Sequence, residues 1–245
     1  MGVDCTVLSI ADIVIVTVVT FVGSTLQGAI GFGMGLLAAP LLILLDPRLV
    51  PAPILVCTLV LTLLMSYRER RAMDVRGLRW AILGRIAGTV VAAGILAIAP
   101  ADTLLLLFGV FILAAVAMSV SGLRFEPTGR ALVAAGVVSG VIGTVAAAGG
   151  PPLALLYQDA PGARIRSTIS GFFVIGTIVS LAALWLVGRF GGGELRLALV
   201  MLPGMLAGLA LSRSIAPLVD RGYTRPAVLT VVGLTGAAIV VRQLV

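Results

Sequence analysis

Residues 28–40 read Gly28-Ala29-Ile30-Gly31-Phe32-Gly33-Met34-Gly35-Leu36-Leu37-Ala38-Ala39-Pro40, inside a charge-free window that runs from 13 to 45. A helix of roughly 20 apolar residues crosses the hydrocarbon core of a bilayer, so this window is too long for one ordinary span. Gly23, Gly28, Gly31, Gly33 and Gly35, then Pro40, interrupt it. Glycine weakens a helix and proline removes an amide donor. Broken backbone at membrane depth survives only where protein buries it or where it lines a cavity. The stretch therefore predicts an apolar helix that stops, turns and starts again inside a membrane.

The rest of the chain agrees with that environment. Of 245 residues, 60% are hydrophobic and 11% charged, against roughly 25% charged in soluble domains. Mean hydropathy is +1.20. Charges cluster in short stretches and leave further charge-free windows at 49–67, 86–101, 103–123, 131–158, 167–188, 197–212 and 226–241. The shorter ones reach spanning length once a flanking arginine snorkels to the interface. The reading is all-α: one polytopic helical membrane domain over 1–245, built from eight hydrophobic segments. Residues 1–12 hold Asp4 and Asp12 and no basic run, so they do not read as a signal peptide.

Several function classes fall away. The net charge of +7 comes entirely from arginine, placed between apolar spans rather than along a basic helix face. The positive-inside bias accounts for it without nucleic acid. Cys5 and Cys57 are too few for a disulfide framework or a metal site, and the chain has no histidine, which removes the usual catalytic pairs and metal ligands. No catalytic residue, metal or cofactor is expected. No Asp or Glu lies deep in a segment, so a carboxylate proton relay is not expected either.

The chain repeats itself weakly. Shifted by 112 positions, Gly28-Ala29-Ile30-Gly31 falls on Gly140-Val141-Ile142-Gly143, and Pro40-Leu41 on Pro152-Leu153. Shifted by 120, Gly84 and Gly88 fall on Gly204 and Gly208. Residues 9–122 and 130–243 read as two pseudo-symmetric repeats of about four segments, joined by Arg124-Phe125-Glu126-Pro127. Each opens on a broken segment; the second carries Gly136, Gly140, Gly143, Gly149, Gly150, Pro151 and Pro152. Such breaks in corresponding places point to a transporter's binding site. If each is a re-entrant hairpin the repeats are inverted and twelve of sixteen loop arginines share one side. If all segments cross, the repeats are parallel and the division is ten against six. The inverted arrangement obeys the positive-inside rule better. Either way the connection Tyr67–Arg79 faces the cytoplasm.

The run from Gly28 to Leu42, the arginine-rich connection with Asp74 followed by Leu83-Gly84 and Gly88, and Gly143 followed by Gly149-Gly150-Pro151-Pro152-Leu153 together resemble the TauE/SafE family of sulfite exporters. The resemblance covers essentially the whole chain. It implies a multi-pass carrier for small sulfur-containing anions, sulfite or organosulfonates, in the bacterial inner membrane. One departure is that Thr144-Val145 stands where the first half has Phe32-Gly33, so the halves cannot contribute identically.

The residues themselves suggest how an anion is held. A half-helix beginning inside the membrane presents free N–H groups and about +0.5 of partial charge. Two such N-termini, near Gly35 and near Gly150, make an anion site without a buried cation. The candidate substrate-binding residues are Gln27, Gly31, Phe32, Gly33, Gly35, Arg85, Gly143, Thr144, Gly149, Gly150 and Pro151, with Thr25 and Ser139 as further side-chain donors. Arg85 has two readings. A guanidinium inside a span suits a sulfonate or sulfite, yet Arg85 lies six residues after Arg79, about 9 Å along a helix, and can snorkel outward. An anion channel of the same fold and an accessory membrane subunit are the competing functions. Gly-rich helix faces serve packing within and between subunits, so a homodimer is compatible with the sequence.

Overall fold

The computed structural model describes residues 8–123, 125–219, 236–237 and 239–241. Its helices are α1 (Ile10–Ile30), α2 (Met34–Leu45), α3 (Ala52–Glu69), α4 (Val75–Ile98), α5 (Ala101–Val120), α6 (Gly129–Val145), α7 (Gly150–Tyr157), α8 (Gly162–Leu186) and α9 (Gly192–Val219), with 3-10 turns at Pro47–Leu49 and Arg70–Ala72. No strand occurs among the described residues. Among the described residues six helical stretches are long and apolar enough to cross a membrane; Met34–Leu45 and Gly129–Val145 are shorter. The chain is a polytopic helical membrane protein. The windows 13–45 and 131–158 each divide into two helices, because Gly31 and Gly33 take left-handed φ of 106° and 127° and Ala147 takes 54°. The window 226–241 lies mostly outside the described residues, as do Cys5 and Arg124.

Local signals set the helix ends. Ser9 and Asp12 form a reciprocal capping box at α1, Asp74 accepts from the Gly77 N–H at α4, and Thr128 accepts from Ala131 at α6. These side chains satisfy amides that a helix leaves orphaned at its start. At the end of α1 only glycine adopts the required φ without strain, and the Gly31 N–H closes the helix onto the Gln27 carbonyl at 2.7 Å.

Between helices, glycine permits backbone contact, since water is not there to drive association and close packing does the work. On α4, a Cβ at Gly84 or Gly88 would overlap the carbonyls of Val133 or Val137 on α6. On α9, a Cβ at Gly204 or Gly208 would overlap those of Thr17 or Phe21 on α1. Both pairs therefore run parallel. α2 folds back on α1, with Gly23 against Met34 and Ala38, and α7 folds back on α6. α3 and α8 pack against each other at the centre. The two ends of the bundle differ in charge. Most of the described arginines sit at the end formed by residues 67–79, 125–130 and 157–166, whereas Arg48, Arg189 and Arg196 lie at the other.

This packing separates two glycines of the same helix. Gly94→Ala meets nothing within 4 Å and should stabilise α4 by about 0.5–1 kcal/mol. Gly88→Ala should cost about 1–3 kcal/mol through overpacking. Thermal unfolding in detergent should order the melting temperatures Gly94→Ala, then wild type, then Gly88→Ala.

Candidate functional site

The two breaks meet. A Cβ on Gly35, in the first turn of α2, would overlap the Ala147 carbonyl in the α6–α7 break. A Cβ on Gly150, the first residue of α7, would sit 2.7 Å from Phe32 Cβ in the α1–α2 break. Each half-helix thus starts against the turn of the other hairpin. Around this contact lies an internal cavity of about 10 Å³, the room of roughly one water. Of the residues singled out from sequence, Gln27, Phe32, Gly33, Gly35, Arg85, Gly143, Gly149, Gly150 and Pro151 line it.

Gly31 and Thr144 do not. Gly31 packs on Arg166, whose Cα a Cβ there would approach to 3.0 Å. It ends α1 and lets α8 pass. The Thr144 hydroxyl bonds Thr89 at 3.3 Å and Ser180 at 2.8 Å, one layer behind the cavity. Thr25 is held by the carbonyls of Phe21 and Gly208. Ser139 sits behind Arg85 and donates to the Gly149 carbonyl.

Arg85 does not snorkel. It is 1% exposed, and its guanidinium is built into the bundle. Nη1 donates to the Ser139 carbonyl and hydroxyl. Nη2 donates to Ser180 Oγ at 2.9 Å and lies 3.5 Å from the Gly176 carbonyl. The ring of Phe172 lies 5.7 Å from its central carbon. Glycines at 143, 149 and 176 make room for the group; a Cβ at any of them would crowd it. Among the described residues no carboxylate forms an ion pair with it. A buried cation without a counter-charge is costly.

Among the described residues four buried side-chain atoms lack a hydrogen-bond partner: Gln27 Nε2, Arg85 Nε, Thr177 Oγ1 and Ser170 Oγ. The first three belong to residues lining this cavity. Gln27 shows how its amide is oriented: Oε1 accepts from the Met34 N–H at 3.0 Å, capping α2 across the break and turning Nε2 the other way. The two half-helices are unequal donors. α2 begins Met34-Gly35-Leu36, whereas α7 begins Gly150-Pro151-Pro152, and proline has no N–H. On the α7 side the guanidinium stands where backbone donors are missing, so the cavity does contain a buried cation.

Reasoning from glycine breaks missed the walls that α3 and α8 supply, namely Leu55 and Thr58, Phe173 and Thr177. The available signal was a stripe of small and hydroxyl residues on α8, Ser170, Thr177 and Ser180, in an otherwise apolar span.

At the arginine-rich end, α8 is tied to the α3–α4 connection. Arg166 Nε donates to both Glu69 oxygens at 3.1 Å. Asp74 accepts from the Tyr157 hydroxyl at 3.0 Å and pairs with Arg164 at 3.5 Å. Burial, the largest single influence on Asp74, pushes its pKa up. The Gly77 N–H, the Tyr157 hydroxyl and the Arg164 charge together outweigh it and hold the carboxyl below its usual range. A lowered folded-state pKa contributes stability above the unfolded value and loses it as pH falls through the folded value. Wild type should therefore lose melting temperature below about pH 4 more steeply than Asp74→Asn, with the two curves converging in acid.

Neither a curated protein nor a solved structure matches the chain. A family profile does, the sulfite exporter TauE/SafE, over residues 15–239. That match spans both helical breaks, the arginine-rich connection and Arg85, so the chain belongs to the TauE/SafE sulfite exporter family of membrane transporters.

Proposed function

We propose that the protein is a secondary transporter for a small sulfur oxyanion, sulfite or an organosulfonate, held between the two helical breaks. The observation that carries this reading is Arg85. It is fully buried, has no carboxylate partner among the described residues, and its Nε joins Gln27 Nε2 and Thr177 Oγ1 as unsatisfied groups around one cavity. Buried polar atoms are nearly always paired, and an oxyanion supplies both the charge and the acceptors. The N-terminus of α2 adds a favourable dipole, and Phe32, Leu36 and Phe173 offer apolar surface for a substituent on sulfur.

The directions of the helices support inverted repeats, 9–122 and 130–243. α1 runs parallel to α9 and α4 runs parallel to α6, so the two opening hairpins enter from opposite ends. With the arginine-rich end cytoplasmic, α1–α2 dips in from outside and α6–α7 from inside, in the bacterial inner membrane. A cavity with room for roughly one water is too small for a polyatomic anion, so loading requires its walls to move, which suits a carrier better than an open channel.

Counterflow in proteoliposomes tests the reading. Vesicles loaded with sulfite, a taurine-like sulfonate or a dicarboxylate should show saturable exchange for the sulfur anions alone. Flux that never saturates would favour the channel. No exchange with any anion by folded protein would leave an accessory subunit.

A further inference from the structure

Beyond the cavity lies a second, larger space. At the end opposite the arginine-rich connections, a recess of about 420 Å³ opens between the start of α3, the junction of α4 and α5, and the end of α8. Arg48, Arg189 and Glu194 stand in its wall, and Leu96, Val145 and Leu184 are among its apolar lining. On α3, Ala52 lines the recess and Thr58 lines the cavity, with Leu55 one turn from each. On α8, Leu184 lines the recess and Thr177 the cavity, with Leu181 between. Leu55, Val145, Leu181 and Leu184 belong to one buried cluster.

The layer is thin. At 1.5 Å per residue, Thr58 lies about 9 Å along α3 from Ala52, and Thr177 about 10 Å along α8 from Leu184. Toward the other end, about 16 Å of helix separates Thr58 from Glu69 and Thr177 from Arg166. That longer path holds the cluster of Ile169, Phe172 and Phe173 and then the Glu69–Arg166 ion pair. One side is closed by a single apolar layer, the other by packed aromatic rings and ion pairs.

We infer that Leu55, Val145 and Leu181 form an apolar gate through which the solute passes between the recess and the central cavity, an assignment that rests on the transport reading above. Such a constriction blocks ions by excluding water and opens without breaking a hydrogen bond. Leu55 stands in the cavity wall and Leu181 behind it. Their role is to keep the cavity dry on that side until α3 and α8 part.

The test reads accessibility rather than flux. In a background carrying Cys5→Ser and Cys57→Ala, Thr58→Cys places a thiol at the cavity. The probe is an anionic, membrane-impermeant thiosulfonate, applied to sealed vesicles of either orientation. Adding Leu55→Ser should raise the labelling rate from the recess side by about tenfold or more and leave the rate from the arginine-rich side unchanged. Leu181→Ala, a milder change, should shift it the same way if Leu55→Ser fails to fold. Glu69→Gln should act from the arginine-rich side alone. Equal labelling in parent and gate variants, or gain from the arginine-rich side, would overturn the gate. Because labelling needs no transport, absence of counterflow alongside the expected labelling would count against the transport reading and not against the gate.

Discussion

Arg85→Met should lower counterflow of a sulfur anion by about two to three orders of magnitude while the bundle stays folded. Removing one member of a buried, hydrogen-bonded charge pair costs about 2–5 kcal/mol, and each 1.4 kcal/mol is a factor of ten. The unliganded protein behaves differently. There the guanidinium is a buried charge without a carboxylate partner among the described residues, so an unbranched, flexible apolar side chain relieves desolvation. Ser139 and Ser180 keep the hydrogen bonds they already make, to the Gly149 carbonyl and to Thr144. Melting temperature should therefore change little while transport collapses. Arg85→Lys keeps the charge, but a point ammonium cannot reach Ser139, Ser180 and the cavity at once, so its activity should fall between the two. Undiminished exchange in folded Arg85→Met would remove the guanidinium from the site.

Gly35→Ala should abolish transport and lower stability together. The added Cβ would overlap the Ala147 backbone carbonyl, and neither atom belongs to a side chain that can rotate away. Ala147 is itself held at a φ of 54°, which leaves its peptide little freedom to yield. The two hairpins would have to separate, costing about 1–3 kcal/mol and pulling the α2 N-terminus away from the cavity. Gly150→Leu should be as damaging to transport, since its Cβ meets Phe32 at 2.7 Å. Turning the Phe32 ring relieves the contact with its ring atoms but not the one with its Cβ, so stability should fall here as well. Thermal unfolding and counterflow on the same preparations separate these outcomes. A Gly35→Ala protein with normal exchange would mean that the breaks do not have to touch for the cycle to run.

Much of this was legible along the chain because a bilayer leaves few choices. A window without charge, as long as 13–45 and broken by Gly31, Gly33 and Gly35, admits little besides two helices and a turn. The starts of α2 and α7 fall at Met34 and Gly150, beside the residues that glycine and proline placement marked. Nine of the eleven candidate site residues line one cavity, because both breaks were legible and the breaks meet. Gly31 and Thr144 do not line it, for a local reason. A residue at a break can serve the helix end or the layer behind as readily as the cavity, and spacing does not say which way a side chain points.

What the sequence by itself determined was the solvent, the class of fold and the location of irregular backbone, all of which follow from short-range rules of hydrophobicity, charge and backbone conformation. The tertiary structure decided the rest. Thr58 and Thr177 line the cavity only because α3 and α8 pack across the centre. The fate of Arg85 depended on Ser139 and Ser180, 54 and 95 residues away. A snorkelling arginine and a buried one carry the same local sequence. Only the helices that close around it, and the glycines that make room for its guanidinium, determine whether its charge faces lipid headgroups or the central cavity.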